Sequence, residues 1–220
     1  MNQINNGNTE QGFAEFNKLP TWFFDVVFTG GAGLISPSGT AQTTVNLEPG
    51  KYVIECYVKM PNGMFHSAMG MLAELDVLPA NNNRRKPIAR DTITISSELG
   101  IAFKDEIQPG EHTFAVNFKD QIAHEHFIGH DVHLVRLKDE NSIKDLNNWM
   151  NWADPEAFKT PAPQGVEFLG GTQEMPAGNT SYFTVTLTPG NYALIAEVPN
   201  PIDKNMLKTF TVPQNGVLEK

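Results

Sequence analysis

The chain has 220 residues and a formal charge of −9, from 16 Lys and Arg against 25 Asp and Glu. Hydrophobic residues make up 40% and charged residues 19%, enough apolar material for a core and too little charge for a disordered acidic chain. The length suits one large all-β domain or two small ones. The acidic balance argues against nucleic acid, which needs clustered Lys and Arg, and no run approaches the roughly 18 apolar residues of a membrane-spanning helix.

Residues 1–12 hold no charged segment followed by an apolar one, so they do not read as an export signal. A helix is expected near residues 9–18, with Phe13 and Phe16 inward. Residues 28–56 then read as Gly-Gly, a turn, an alternating strand, a Pro-Gly turn and a second strand that starts at Tyr52 and ends at Cys56. A loop and a last strand over 71–77 follow. The same order returns later in the chain: 28–56 align with 168–196 without a gap, with 10 identities in 29 positions. The last strand of the second copy, 206–212, is offset by 135 rather than 140 because its loop is five residues shorter.

Between the copies, 80–90 reads as a solvated linker carrying Arg84, Arg85, Lys86 and Arg90. Strands are expected over 92–95, 101–103, 112–118 and 130–137, with a Pro-Gly turn at 108–111. Ser142 is expected to cap a short helix with Ile143, Leu146, Trp149 and Met150 on one face. Short strands with closely spaced turns indicate an all-β sandwich fold. The expected organisation is the back half of a first domain over 1–78, a linker over 79–90, a complete second sandwich over 91–213 and a tail over 214–220.

The residues with chemistry lie at the end of the first copy. Cys56 is the only cysteine and has no partner for an internal disulfide, which leaves it a core filler or a functional thiolate. His66 follows after nine intervening residues and Met71 after four more. A thiolate, an imidazole and a thioether on one strand end and its loop are soft donors suited to copper; a blue-copper site holds the metal by two His and a Cys with a weak axial Met.

With that loop and the twice-occurring Pro-Gly-x-Tyr strand before it, the chain resembles a two-domain cupredoxin. The resemblance implies tandem cupredoxin-like Greek-key β-sandwiches with short helices, the first incomplete. It implies a type 1-like copper site on Cys56, His66 and Met71, with Met69 as a substitute for Met71. It also implies a redox protein partner and a periplasmic or extracellular location. In the second copy the Cys position is Ala196 and the loop has no His, so that domain is expected to be metal-free; His130 stands where the family's upstream His ligand stands.

No His precedes His66, so the upstream ligand of the first domain is missing. One expectation is that Met1 is an internal residue of a longer precursor. The other is a borrowed ligand, with His124, His126, His130 and His133 as candidates. His124 and His126 resemble one His-x-His pair of a multicopper oxidase, but those enzymes need about four pairs and this chain has six His in all. Cys56 is flanked by Glu55 and Tyr57, so the His beside the Cys of copper nitrite reductases is absent too. No hydrolytic triad or phosphate loop is evident. An activity as an enzyme in its own right is the weakest of the readings. The competing reading is a metal-free binding or structural module of a secreted or surface assembly.

Overall fold

The computed structural model describes residues 18, 20–79, 84–104, 106–124 and 128–214. The helix expected near 9–18 falls outside them except for Lys18, as does His126. Among the described residues the chain forms two compact units, one of 20–27, 47–79 and 154–161, the other of 28–46, 84–153 and 162–214.

The strands of the larger unit are β1 (Gln42–Thr44), β4 (Asp91–Ser96), β5 (Gly100–Ala102), β6 (Gly110–Phe118), β7 (Val132–Leu137), β8 (Val166–Thr172), β9 (Thr180–Leu187), β10 (Gly190–Ile195) and β11 (Leu207–Val212). The smaller unit holds β2 (Gly50–Glu55) and β3 (Leu72–Val77). The fold is all-β with one described α-helix, α1 (Asn141–Trp149).

In the larger unit one sheet runs β1-β9-β6-β4-β5 and the other β11-β10-β7-β8. Alternation along β6 turns Phe114, Val116 and Phe118 inward, where they meet Ile93 and Ile95 of β4 and Phe183 of β9. From the second sheet Leu134, Tyr192, Leu194, Phe210 and Val212 enter the same cluster. Sheet-on-sheet burial of these side chains drives the fold, each contributing about 1.5–3 kcal/mol relative to exposure.

The boundaries of the units differ from the expected 1–78 and 91–213, and strand pairing gives the reason. β1 adds to the edge of β9, with Thr43 opposite Phe183, and Ala32 bridges Thr172 beside β8. Each central pair joins residues 140 positions apart, so the two sequence copies present the same strand edges to each other, as in an isologous contact. Small residues permit the approach: a side chain on Gly33 would reach within 2.9 Å of the Gly171 backbone, and one on Gly171 would collide with the Val132 carbonyl. Residues 28–46 of the first copy therefore close the edges of the second copy's sheets instead of staying with β2.

β2 and β3 keep the register of β10 and β11. Gly50 pairs with Val77 and Glu55 with Leu72; Gly190 pairs with Val212 and Ile195 with Leu207, the same partners after shifts of 140 and 135. The Tyr52 hydroxyl donates to the Glu48 carbonyl at 2.7 Å and Tyr192 to Thr188 at 2.6 Å. Burial separates the copies. Leu194 is fully buried, while its counterpart Ile54 is 58% exposed, because no second sheet covers β2–β3 among the described residues.

Ser142 does not cap α1. The carboxylate of Asp139 does that work, accepting from the amides of Asn141 at 3.0 Å and Ser142 at 3.2 Å, while the Ser142 hydroxyl turns back to the same oxygen. Ser142 is already the second residue of the helix and lies too late to cap its first amides, whereas Asp139 precedes them. Leu146 and Met150 are buried as the helical spacing requires.

Candidate metal centre

Cys56 follows β2 directly, and its amide donates to the Met71 carbonyl just before β3. The loop between them folds back on itself. Residues 60–63, Met-Pro-Asn-Gly, make a turn: the Gly63 amide donates to Met60 O at 2.8 Å, the Met60 amide to Met64 O at 2.7 Å, and Asn62 Oδ1 accepts from Met64. Pro and Asn favour such a turn, and Gly63 supplies its left-handed φ of 81°. Lys59 then bridges Phe65, Tyr57 packs edge-on against Phe65, and the His66 amide donates to Val58 O at 2.9 Å. A 3₁₀ turn, His66–Met69, ends at Gly70 with φ 93° and returns the chain to β3.

The result sets His66 beside Cys56, with Cys56 Sγ 3.5 Å from His66 Nδ1. The other ring nitrogen, Nε2, lies 3.0 Å from the sulfur of Met60. Met60 was not among the residues singled out from sequence; four Met occupy this loop, and position before the last strand favours Met71. Met71 and Met69 are 53% and 58% exposed, and neither sulfur makes the kind of contact with His66 that Met60 makes. Met206, the counterpart of Met71, is 1% exposed within the two-sheet core. The side chain of Met71 lacks such a cover.

In the larger unit the Cys56 position is Ala196, fully buried, whose amide donates to Met206 O just as that of Cys56 does to Met71 O. His130 is fully buried. Its Nδ1 donates to the Asp120 carbonyl at 3.3 Å, and its Nε2 has no hydrogen-bond partner among the described residues. Burial pushes its pKa down, with Asp120 partly opposing. The His124 ring lies 5.1 Å from that of His130, centroid to centroid.

His133, a candidate borrowed ligand from sequence, belongs instead to a buried group with Asp131 and Glu197. Its Nε2 lies 3.0 Å from Asp131 Oδ2 and 3.1 Å from Glu197 Oε1. These three side chains have the composition of a metal site, but Nδ1 argues otherwise. The Leu34 amide donates to Nδ1 at 2.9 Å, so the ring proton is on Nε2, where a metal would have to displace it and leave an imidazolate. Burial disfavours a charge on His133, yet the two carboxylates outweigh it and push its pKa up to about 10. Burial also raises Asp131. The buried cluster thus retains an additional proton as a unit. Glu174, which accepts from the Gly129 amide at 2.6 Å, is raised to about 7 by burial, and the nearby Asp131 and Glu197 charges add to the shift. We read this group as a proton-holding network of the fold.

No protein-family model and no curated protein matches the sequence. Solved structures similar to it include a dithionite-reduced auracyanin from the photosynthetic bacterium Roseiflexus castenholzii, 16% identical, with a TM-score of 0.38, covering 55% of this chain and 94% of that one. Auracyanin B is 21% identical, with a TM-score of 0.38, covering 60% and 94%. An azurin from the methylotroph Methylomonas sp. strain J is 17% identical, with a TM-score of 0.35, covering 57% and 96%.

Proposed function

We propose that the chain is an exported copper-binding, electron-transfer protein of the cupredoxin type, periplasmic or extracellular, that works with a redox protein partner. The smaller unit carries the copper site and the larger unit is metal-free. The observation that carries this reading is the 3.5 Å approach of Cys56 Sγ to His66 Nδ1. With metal–sulfur and metal–nitrogen bonds of about 2.3 and about 2.0 Å, that separation corresponds to an angle of about 110° at one metal, so the two atoms fit a shared ion.

Copper bound there would supply one-electron transfer between its cupric and cuprous forms. Cys56 would contribute the thiolate and His66 the imidazole, with Met71, just before β3, as the proposed thioether donor and Met69 its substitute. A type 1 site takes a second imidazole, and His66 is the only His among the described residues of the smaller unit. In the larger unit Ala196 offers no thiolate, and the 197–205 loop offers no imidazole, which favours a supporting role for it.

Competition for Cu(I) against a chromophoric chelator tests the assignment. One equivalent should bind to the full chain, and His66→Ala and Cys56→Ala should each weaken binding by at least about tenfold. Equal affinity in all three proteins would contradict the site.

A further inference from the structure

His66 is held at both ring nitrogens, by Cys56 at Nδ1 and by Met60 at Nε2. A thioether sulfur has lone pairs and no proton to give, so the 3.0 Å contact at Nε2 is a hydrogen bond only when Nε2 carries the proton. Whether Cys56 is a thiol donating to Nδ1 or a thiolate accepting from it, that condition on Nε2 is the same. We propose that Met60 is a positioning residue for His66: its sulfur accepts the Nε2–H and so commits Nδ1 to the side of Cys56. This inference takes its purpose from the copper reading, but the contact itself needs no metal.

The loop supports such a role. The backbone of Met60 is fixed at both its amide and its carbonyl by the 60–63 turn, and the returning strand that this turn creates is the one that delivers His66. Ligand histidines commonly donate their second N–H to a carboxylate or carbonyl, which sets the tautomer and the ring orientation. Here an uncharged sulfur takes that place. Because the two nitrogens of an imidazole point away from each other, a sulfur on Nε2 cannot share a metal with Nδ1 of the same ring; Met60 orients the ligand and does not add to the donor set.

The test uses the full chain, reduced and metal-free, with ¹⁵N-labelled histidine and the His66 signals assigned by a His66→Gln variant. Long-range ¹H–¹⁵N correlations should show His66 protonated at Nε2. Met60→Gln, which offers a carbonyl oxygen at similar reach, should keep that tautomer, and Met60→Leu should give a mixture. In a second arm, Co(II) uptake read by thiolate-to-cobalt absorption should weaken by about tenfold in Met60→Leu and stay near wild type in Met60→Gln and in the control Met64→Leu. A wild-type ring protonated at Nδ1, or a Met60→Leu protein with unchanged tautomer, overturns the proposal. Equal loss of affinity in the Gln and Leu variants would make the sulfur a ligand and also overturn it. If the tautomer responds as stated while wild type takes up no Co(II), the positioning role stands and the copper reading fails.

Discussion

Cys56 Sγ and His66 Nδ1 lie 3.5 Å apart although nine residues separate them, and the turn at 60–63 accounts for the closeness. Gly63 holds a φ of 81°, which a side chain resists by about 1–2 kcal/mol. Gly63→Ala should therefore loosen the loop without touching a donor atom. Hydrogen exchange of the His66 amide, bonded to Val58 O, should quicken in this variant, and metal uptake should weaken. Unchanged protection of that amide would show that the turn does not set the site.

Ile54 and Leu194 occupy the same position in the two copies and differ in cover, 58% exposed against fully buried. Leu194→Ala should cost the larger unit about 2–5 kcal/mol in urea unfolding, and Ile54→Ala should stay within about 0.5 kcal/mol. Equal costs would mean that β2–β3 is covered as β10–β11 is.

Asp139→Ala removes the acceptor for the first amides of α1 and should destabilise the larger unit by about 0.5–2 kcal/mol in urea unfolding. Asp139→Asn, which retains an acceptor oxygen, should recover most of it. If Asp139→Ala is neutral, the helix start is held by something other than this carboxylate.

Much of this was legible in the sequence. Alternation and Pro-Gly turns located the strands of both copies, since a half-buried strand repeats every two residues whatever it pairs with. Pairing partners were not legible: nothing local to 28–46 says that Thr43 meets Phe183, because sheet edges select partners through backbone bonds that every residue carries. Spacing named Cys56 and His66. Met60 was missed because its role depends on the direction of a loop, and no pattern in 57–65 fixes that direction short of the turn itself. The Asp131–His133–Glu197 cluster joins residues on both sides of a long segment and left no mark on local composition.

Stability of the larger unit should fall as pH rises. Glu174, at about 7 folded against its ordinary 4.5, is protonated in the folded chain across a window where the unfolded chain has lost the proton, and that contribution disappears as pH climbs through 7. The Asp131–His133–Glu197 cluster acts in the same direction over the higher window: it keeps as a unit the proton that an unfolded His gives up near 6.5, and that contribution is lost as pH rises through about 10. The thermal midpoint should be lower at about pH 9 than at about pH 6. Glu174→Gln should remove the slope below 7 and leave the slope above it. A midpoint that rises toward pH 9 would contradict the proton-holding cluster.

The central claim is that Cys56 and His66 hold one copper in the smaller unit while the larger unit holds none. Titration of Cu(II) into the full chain, followed by thiolate-to-copper charge-transfer absorption, tests it most directly. The absorption should saturate at one equivalent, weaken in His66→Ala and vanish in Cys56→Ala. Adding Ala196→Cys to the Cys56→Ala protein should not restore a type 1 spectrum, because His130 Nδ1 is committed to the Asp120 carbonyl and the 197–205 loop has no His. No thiolate band in the wild-type chain at any copper ratio, or saturation at one equivalent with full intensity in His66→Ala, would contradict it.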